Sequence, residues 1–186
     1  MLDNLNAREG VTAGLVARPM VGDVLNPVGL FTVECFDQDG HLKWSDEFYN
    51  LVTTEGKNAM LDKFLGLGAA YAGVAMGLHT TIGNAASTYA TPSPQVEVGS
   101  GVVAARATPS FSAASAGSKA TSAAVAFSVI GSATITGCFV VLGATGILTN
   151  GNTAVAAILL STGAFSGGSR AVISGDTLNV TYSLAL

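Results

Sequence analysis

Fifteen of the twenty charged residues of this 186-residue chain lie at or before Lys63, and beyond it only Glu97, Arg106, Lys119, Arg170 and Asp176 carry charge. The long remainder is built from Ala, Gly, Ser, Thr and Val. Such a stretch is poor helix material and suits closely packed sheets. It also holds little charge to keep a monomer soluble. Two outcomes fit equally: one sandwich of small side chains, or surface buried against partners, because exposed apolar patches mark interfaces.

Hydrophobic residues make up 49% of the chain, charged residues 11%, and the mean hydropathy is +0.50. A soluble domain carries about 25% charged residues, so a membrane location has to be considered. A spanning helix needs about 20 largely apolar residues in a row. The most apolar stretch, Ser122 to Leu148, is interrupted throughout by Ser, Thr and Gly. An outer-membrane barrel would want a secretory signal and aromatic girdles. Met1-Leu2-Asp3-Asn4-Leu5-Asn6 offers neither a basic nor an apolar leader region, and the aromatics, 7% of the chain, are scattered. The expectation is a protein outside the membrane. A net charge of −4 and a pI near 4.9 argue against a basic nucleic-acid-binding stripe. Cys35 and Cys138 are too far apart to form a metal-ligand spacing. They read as buried small hydrophobes in a reducing cytosol, and a disulfide between them stays open.

The length suits one well-buried domain. Residues 1–28 read as an extended N-terminal arm, interrupted by Gly10, Gly14, Pro19, Gly22 and Pro27. Leu15, Val16, Met20, Val21, Val24 and Leu25 give this arm more apolar character than a disordered tail has. They are the candidate partner-binding residues. From 29 to 186 the sequence predicts an all-β domain, sandwich or jelly-roll-like, with one short α-helix. Phe31, Val33 and Cys35 alternate with Thr32, Glu34 and Phe36. Asp37-Gln38-Asp39-Gly40 supplies a turn, and Leu42 and Trp44 share a face of the returning strand.

The helix follows Thr53 or Thr54 as cap, with Glu55 in its first turn. It pairs Met60 with Phe64 and Leu61 with Leu65, and Gly66 and Gly68 stop it. A helix of about three turns is not stable alone, so it must cover an end or face of the sheet. Further strands are predicted near 72–79, 95–107, 121–130, 133–142, 154–160 and 176–186. In the last, Leu178, Val180, Tyr182, Leu184 and Leu186 alternate with polar or small residues. Regular short strands with such punctuation indicate a sandwich or jelly roll.

No catalytic, cofactor-binding or metal-binding set emerges from the residues. His41 follows a turn and His79 ends an apolar strand, and neither has ligands at metal spacing. Cys35 or Cys138 with a distant His could form a nucleophilic pair, but both cysteines alternate with core positions. The serines lack a G-x-S-x-G elbow. Asp37 and Asp39, with Asp46 and Glu47 beyond, could hold Ca²⁺. They lack the bidentate Glu and the flanking helices of an EF-hand, and a hairpin turn explains them. Asn179-Val180-Thr181 matches a glycosylation acceptor but falls within a strand, and the Gly-rich stretches lack the Lys of a phosphate cradle.

Two segments carry a family resemblance. Asn50-Leu51-Val52-Thr53-Thr54-Glu55-Gly56-Lys57-Asn58-Ala59-Met60-Leu61-Asp62 resembles an N-L-V-T-x-E-G-x-x-x-x-L-D block of small structural proteins from tailed bacteriophages. The run from Phe165 to Leu184 resembles the ending of the same group, and Gly117-Ser118-Lys119-Ala120 with its following strand fits between them. The resemblance spans roughly 45–186 with gaps and leaves out the arm.

It implies a non-enzymatic virion component with a β-sandwich core, most similar to a capsid decoration or cement protein. Such a protein is made in the host bacterial cytoplasm and carried on the capsid exterior. It would bind the major capsid protein and itself, as a homodimer or homotrimer, without cofactor, nucleic acid or membrane. The alternative is a tail, neck or fibre component binding host-surface carbohydrate, for which Trp44, Tyr49, Tyr71 and Tyr89 are the available rings.

Overall fold

A computed structural model describes residues 27–66, 71–143, 147–151 and 157–186. Among these lie eleven β-strands and one α-helix, so the chain is all-β and sandwich-like. The six apolar arm residues from Leu15 to Leu25 lie outside the described residues.

The predicted hairpin forms from β1 (Val28–Phe36) and β2 (Leu42–Val52), paired antiparallel. The strand starts at Val28, earlier than the alternation beginning at Phe31 suggests, because Val28 to Leu30 pair with the end of β11 (Thr177–Ala185). Phe31, Val33 and Cys35 are fully buried while Thr32 is half-buried and Glu34 exposed. The reversal uses Gly40 at φ +82°, a conformation that glycine adopts without steric cost. The Gly40 N–H donates to the Asp37 carbonyl at 3.0 Å.

β2 joins the two halves of the fold. Its body pairs with β1, and Leu51 and Val52 at its end pair with β9 (Ile158–Ala164). One half therefore contains β2, β1 and β11, with β5 (Ser118–Ala120) and β6 (Val125–Ser128) along the outer side of β11. The other runs β4 (Val96–Glu97), β3 (Gly73–Thr81), β8 (Gly137–Gly143), β9. A separate ribbon pairs β7 (Ala133–Ile135) with β10 (Arg170–Val172).

The main core fills the space between the halves. Phe31, Val33, Phe48, Leu178, Val180 and Tyr182 meet Met76, Leu78, Cys138, Val140 and Leu160. Phe31 stacks on Phe48 at 5.4 Å and tilts against Tyr182 at 4.7 Å between ring centroids. Fully burying one such ring stabilises by about 1.5–3 kcal/mol. The second face of β3, β8 and β9 is also covered. Ala75, Phe139, Val141 and Leu159 lie under Tyr89 and Ile147. That is why β8 reads as a near-continuous apolar run rather than an alternating one.

α1 (Thr54–Phe64) packs on β9. The Thr53 hydroxyl accepts from the Gly56 N–H at 3.0 Å and donates to the Leu159 carbonyl. The Glu55 carboxylate accepts from the N–H groups of Tyr89 at 2.8 Å and Leu159 at 2.7 Å. Helix, strand and covering loop are thereby joined at one carboxylate.

Three strand expectations need correction. The 95–107 stretch is strand only at Val96–Glu97. Beyond Gly99 the Val102 and Val103 N–H groups turn back to the Gly99 carbonyl, and Arg106 N–H donates to Leu148. Of the strand expected at 154–160, residues 154–156 lie outside the described residues; the described strand, Ile158–Ala164, continues past the expected end because Ser161 and Thr162, polar in sequence, are fully buried within it. The 133–142 stretch divides into β7 and β8.

Candidate functional site

The chemistry-bearing side chains are engaged by the fold itself. Arg106, whose side chain is 1% exposed, donates from Nε and Nη2 to both carboxylate oxygens of Glu97 at 2.7 Å. Its guanidinium also reaches the Tyr89 hydroxyl and the Ile147 and Gly151 carbonyls, and lies 5.3 Å from the Phe139 ring centroid. Beside this network is an open depression lined by Pro92, Gln95, Val96, Glu97, Asn150 and Gly151 among others. Two of its polar side chains are committed: Glu97 also accepts from Gly151 N–H, and Asn150 Nδ2 donates to the Val98 and Val103 carbonyls.

Asp46 is buried on the inner face of β2, where it accepts from the Ser166 hydroxyl and pairs with Arg170 at 3.3 Å. Burial would raise its carboxyl pKa, but the Ser166, Arg170 and Gly167 hydrogen bonds outweigh this and hold it below the usual carboxylate range. Lys43 pairs with buried Asp176 at 2.6 Å, and Asp176 also accepts from Ile173 N–H.

The histidines and cysteines do not form a reactive set. His41 stands exposed, 3.4 Å from Asp37. Asp37, Asp39 and His41 do bring ligand atoms within 4.8 Å of one another. Asp37 Oδ1, however, already accepts from the Asp39 and His41 N–H groups, as a turn-closing carboxylate does. Asp46, bound to Ser166 and Arg170, takes no part in this group. His79 is fully buried, with Nε2 3.0 Å from the Gly163 carbonyl and 3.4 Å from the Thr162 hydroxyl. The Cys35 and Cys138 side chains are both sealed from solvent. Cys138 lies across from Leu78 in the main core, whereas His79 shares the opposite face with Phe139. Burial, with the nearby Asp176 charge, pushes the Cys35 thiol up to about 11, and burial alone pushes Cys138 up further. Both thiols are free, which closes the disulfide alternative.

The four aromatic rings considered for carbohydrate binding do not converge. Tyr89 is buried under Arg106, and Trp44 packs edge-on against Phe165 with Arg170 over its ring. Only Tyr49, 72% exposed, stands out from the sheet.

The feature that remains is an apolar surface. α1 does not bury both of its sequence-predicted pairs. Its contact stripe is Gly56, Ala59 and partly buried Met60, because a side chain at Gly56 would lie 2.4 Å from the Leu160 carbonyl oxygen. The small stripe brings the helix close to β9 and turns Leu61, Phe64 and Leu65 outward, at 58%, 74% and 77% exposure. Pro27, Lys57, Met60, Leu61, Phe64 and Leu186 line a groove of about 150 Å³ there. None of these is among the contact residues predicted from the sequence, where Pro27 figures only as an interruption of the arm. The signal was present, since two apolar pairs at 60/64 and 61/65 are more than one narrow helix stripe can bury.

Among the described residues, no helix is long and apolar enough to cross a membrane. Scans against protein-family models, curated proteins and solved structures find no match.

Proposed function

We propose that this chain is a non-enzymatic structural protein that works by assembly, decorating and stabilising a tailed-bacteriophage capsid by bridging neighbouring capsid subunits. The observation that carries the assembly reading is the apolar surface exposed outside α1, with Leu42, Tyr49, Ile130 and Ile173 among it, on a chain that has only five charged residues beyond Lys63. Exposed apolar surface of this kind is characteristic of binding sites. The phage assignment is supported by the resemblance of Asn50–Asp62 and Phe165–Leu184 to virion structural proteins.

A protein that binds only the assembled shell stabilises it by mass action, and repeated contacts over a lattice compound modest affinities. The sheet edges suit a discrete particle component. The outermost strands on the described path, β4 and β5, have two and three residues, and short edges resist open-ended strand addition.

The test is co-sedimentation of the purified protein with expanded phage capsids, counting copies per shell on a quantitative gel. Binding at many copies, lost on deletion of residues 1–28, is the expected result. A handful of copies or none would overturn capsid decoration and direct attention to a vertex, neck, tail or fibre position.

A further inference from the structure

We propose that the groove over α1 is the seat of the chain's own arm, with the apolar run Leu15–Leu25 docked in cis across Leu61, Phe64 and Leu65. Three observations converge on this occupant, and none depends on the phage reading.

The first is position. Pro27 is both a wall of the groove and the residue at which the described chain begins, so the segment before it is tethered at a point beside Met60, Leu61 and Phe64. A chain spans at most about 3.3–3.6 Å per residue. Leu25 and Val24 therefore cannot be far from the groove, and Val21 and Met20 can cover the next turn of helix surface.

The second is chemistry. The groove wall is apolar except for Lys57. The arm segment offers Leu15, Val16, Met20, Val21, Val24 and Leu25, with Arg18 near its far end and Asp23 two residues before Leu25, at the end nearer the groove in sequence. An acidic residue within an apolar run suits a groove with one cation at its rim. The helix interior is already served by Gly56 and Ala59 against β9, so Leu61, Phe64 and Leu65 have no role in the described packing that burial would duplicate.

The third is tethering. A segment joined to the groove by one or two residues acts at an effective concentration of about millimolar or more. A second copy or another protein has to compete against that.

The test uses the full chain with Val24→Cys and Leu61→Cys, oxidised at micromolar and again at tenfold lower concentration. Disulfides are mapped by mass spectrometry to separate the new pair from Cys35 and Cys138. A parallel protein carries Val24→Cys and Ile173→Cys, since Ile173 is exposed and lies beyond the opposite end of β11 from Leu186. The expected result is a monomeric, intrachain 24–61 link whose yield does not change on dilution and exceeds that of the 24–173 control. Adding Phe64→Asp should abolish that link and open the arm to protease. Phe64 is exposed, so circular dichroism should show the domain still folded. Link formation only between chains would overturn the proposal in favour of arm exchange with a second copy. A 24–61 yield no greater than the control would overturn docking on this groove altogether.

Discussion

Arg106 and Glu97 form a two-point ion pair inside the protein, with both nitrogen–oxygen distances at 2.7 Å and the Arg106 side chain 1% exposed. Arg106 is one of only five charges beyond Lys63, and Glu97 is another. A charge-poor region spends two of its few charges on each other. Their shared position ties the short edge strand β4 to the irregular 98–107 segment and to the loop at Gly151.

Removing one partner of such a pair leaves an uncompensated buried charge, which costs about 3–5 kcal/mol. Glu97→Gln and Arg106→Met should each destabilise the fold by that order, measured by urea denaturation. The double variant should be less destabilised than the sum of the singles, because it strands no charge. Additive losses would mean that the two residues do not act as a pair.

The same two residues show where sequence stops being informative. The hairpin, the Thr53 cap and the Leu178-Val180-Tyr182 strand were legible because each is written locally, in period-two alternation or in cap and turn chemistry. The stretch around Arg106 was not. The 95–107 stretch reads as strand, yet the backbone turns at Gly99 and sends Arg106 inward to a partner nine residues away. β9 continues past its expected end for a related reason. Ser161 and Thr162 look like solvent-facing residues, and their burial depends on the Tyr182 hydroxyl, His79 and the Gly83 N–H, which come from elsewhere in the chain. The apolar groove was hidden because only the tertiary approach at Gly56 decides which side of α1 meets β9.

Gly56 separates helix propensity from packing. In an isolated helix, Gly→Ala stabilises by about 1 kcal/mol. Here the added methyl would meet the Leu160 carbonyl oxygen and backbone at 2.4–3.1 Å. Overpacking against backbone costs about 1–3 kcal/mol, so Gly56→Ala should lower stability by up to about 2 kcal/mol once the propensity gain is included. A chemical-denaturation midpoint at or above that of the wild type would show that α1 can move off β9 freely.

The cysteines give a reactivity prediction. The Cys35 thiol, pushed up to about 11, and the deeper Cys138 are both free and buried. The thiolate is the reactive form. In the native protein at pH 8, neither should react with a thiol-specific disulfide reagent over hours, and both should react within minutes in denaturant. Rapid titration of either thiol in the native state would mean that the core opens locally at that residue.

His79 predicts how the protein responds to acid. Its imidazole is held by the Gly163 carbonyl in a fully buried site, and burial lowers its pKa from 6.5 to about 4. The unfolded chain therefore binds a proton below pH 6.5 that the folded chain refuses until about pH 4. Stability should be insensitive to this group above pH 6.5 and fall between 6.5 and 4, with no further loss from it below. At 1.36 kcal/mol per pKa unit, the loss across that window is about 3 kcal/mol. Asp46, whose depressed carboxyl pKa also favours the folded state, loses its contribution as pH falls through the acid range, so the wild-type slope alone does not isolate the histidine. Urea midpoints for wild type and His79→Leu at pH 7.5 and pH 4.5 do. The variant should begin less stable, having lost the bond to Gly163, and should decline less on acidification by about 2–3 kcal/mol. Equal declines in the two proteins would mean that His79 is protonated as readily inside the fold as outside it.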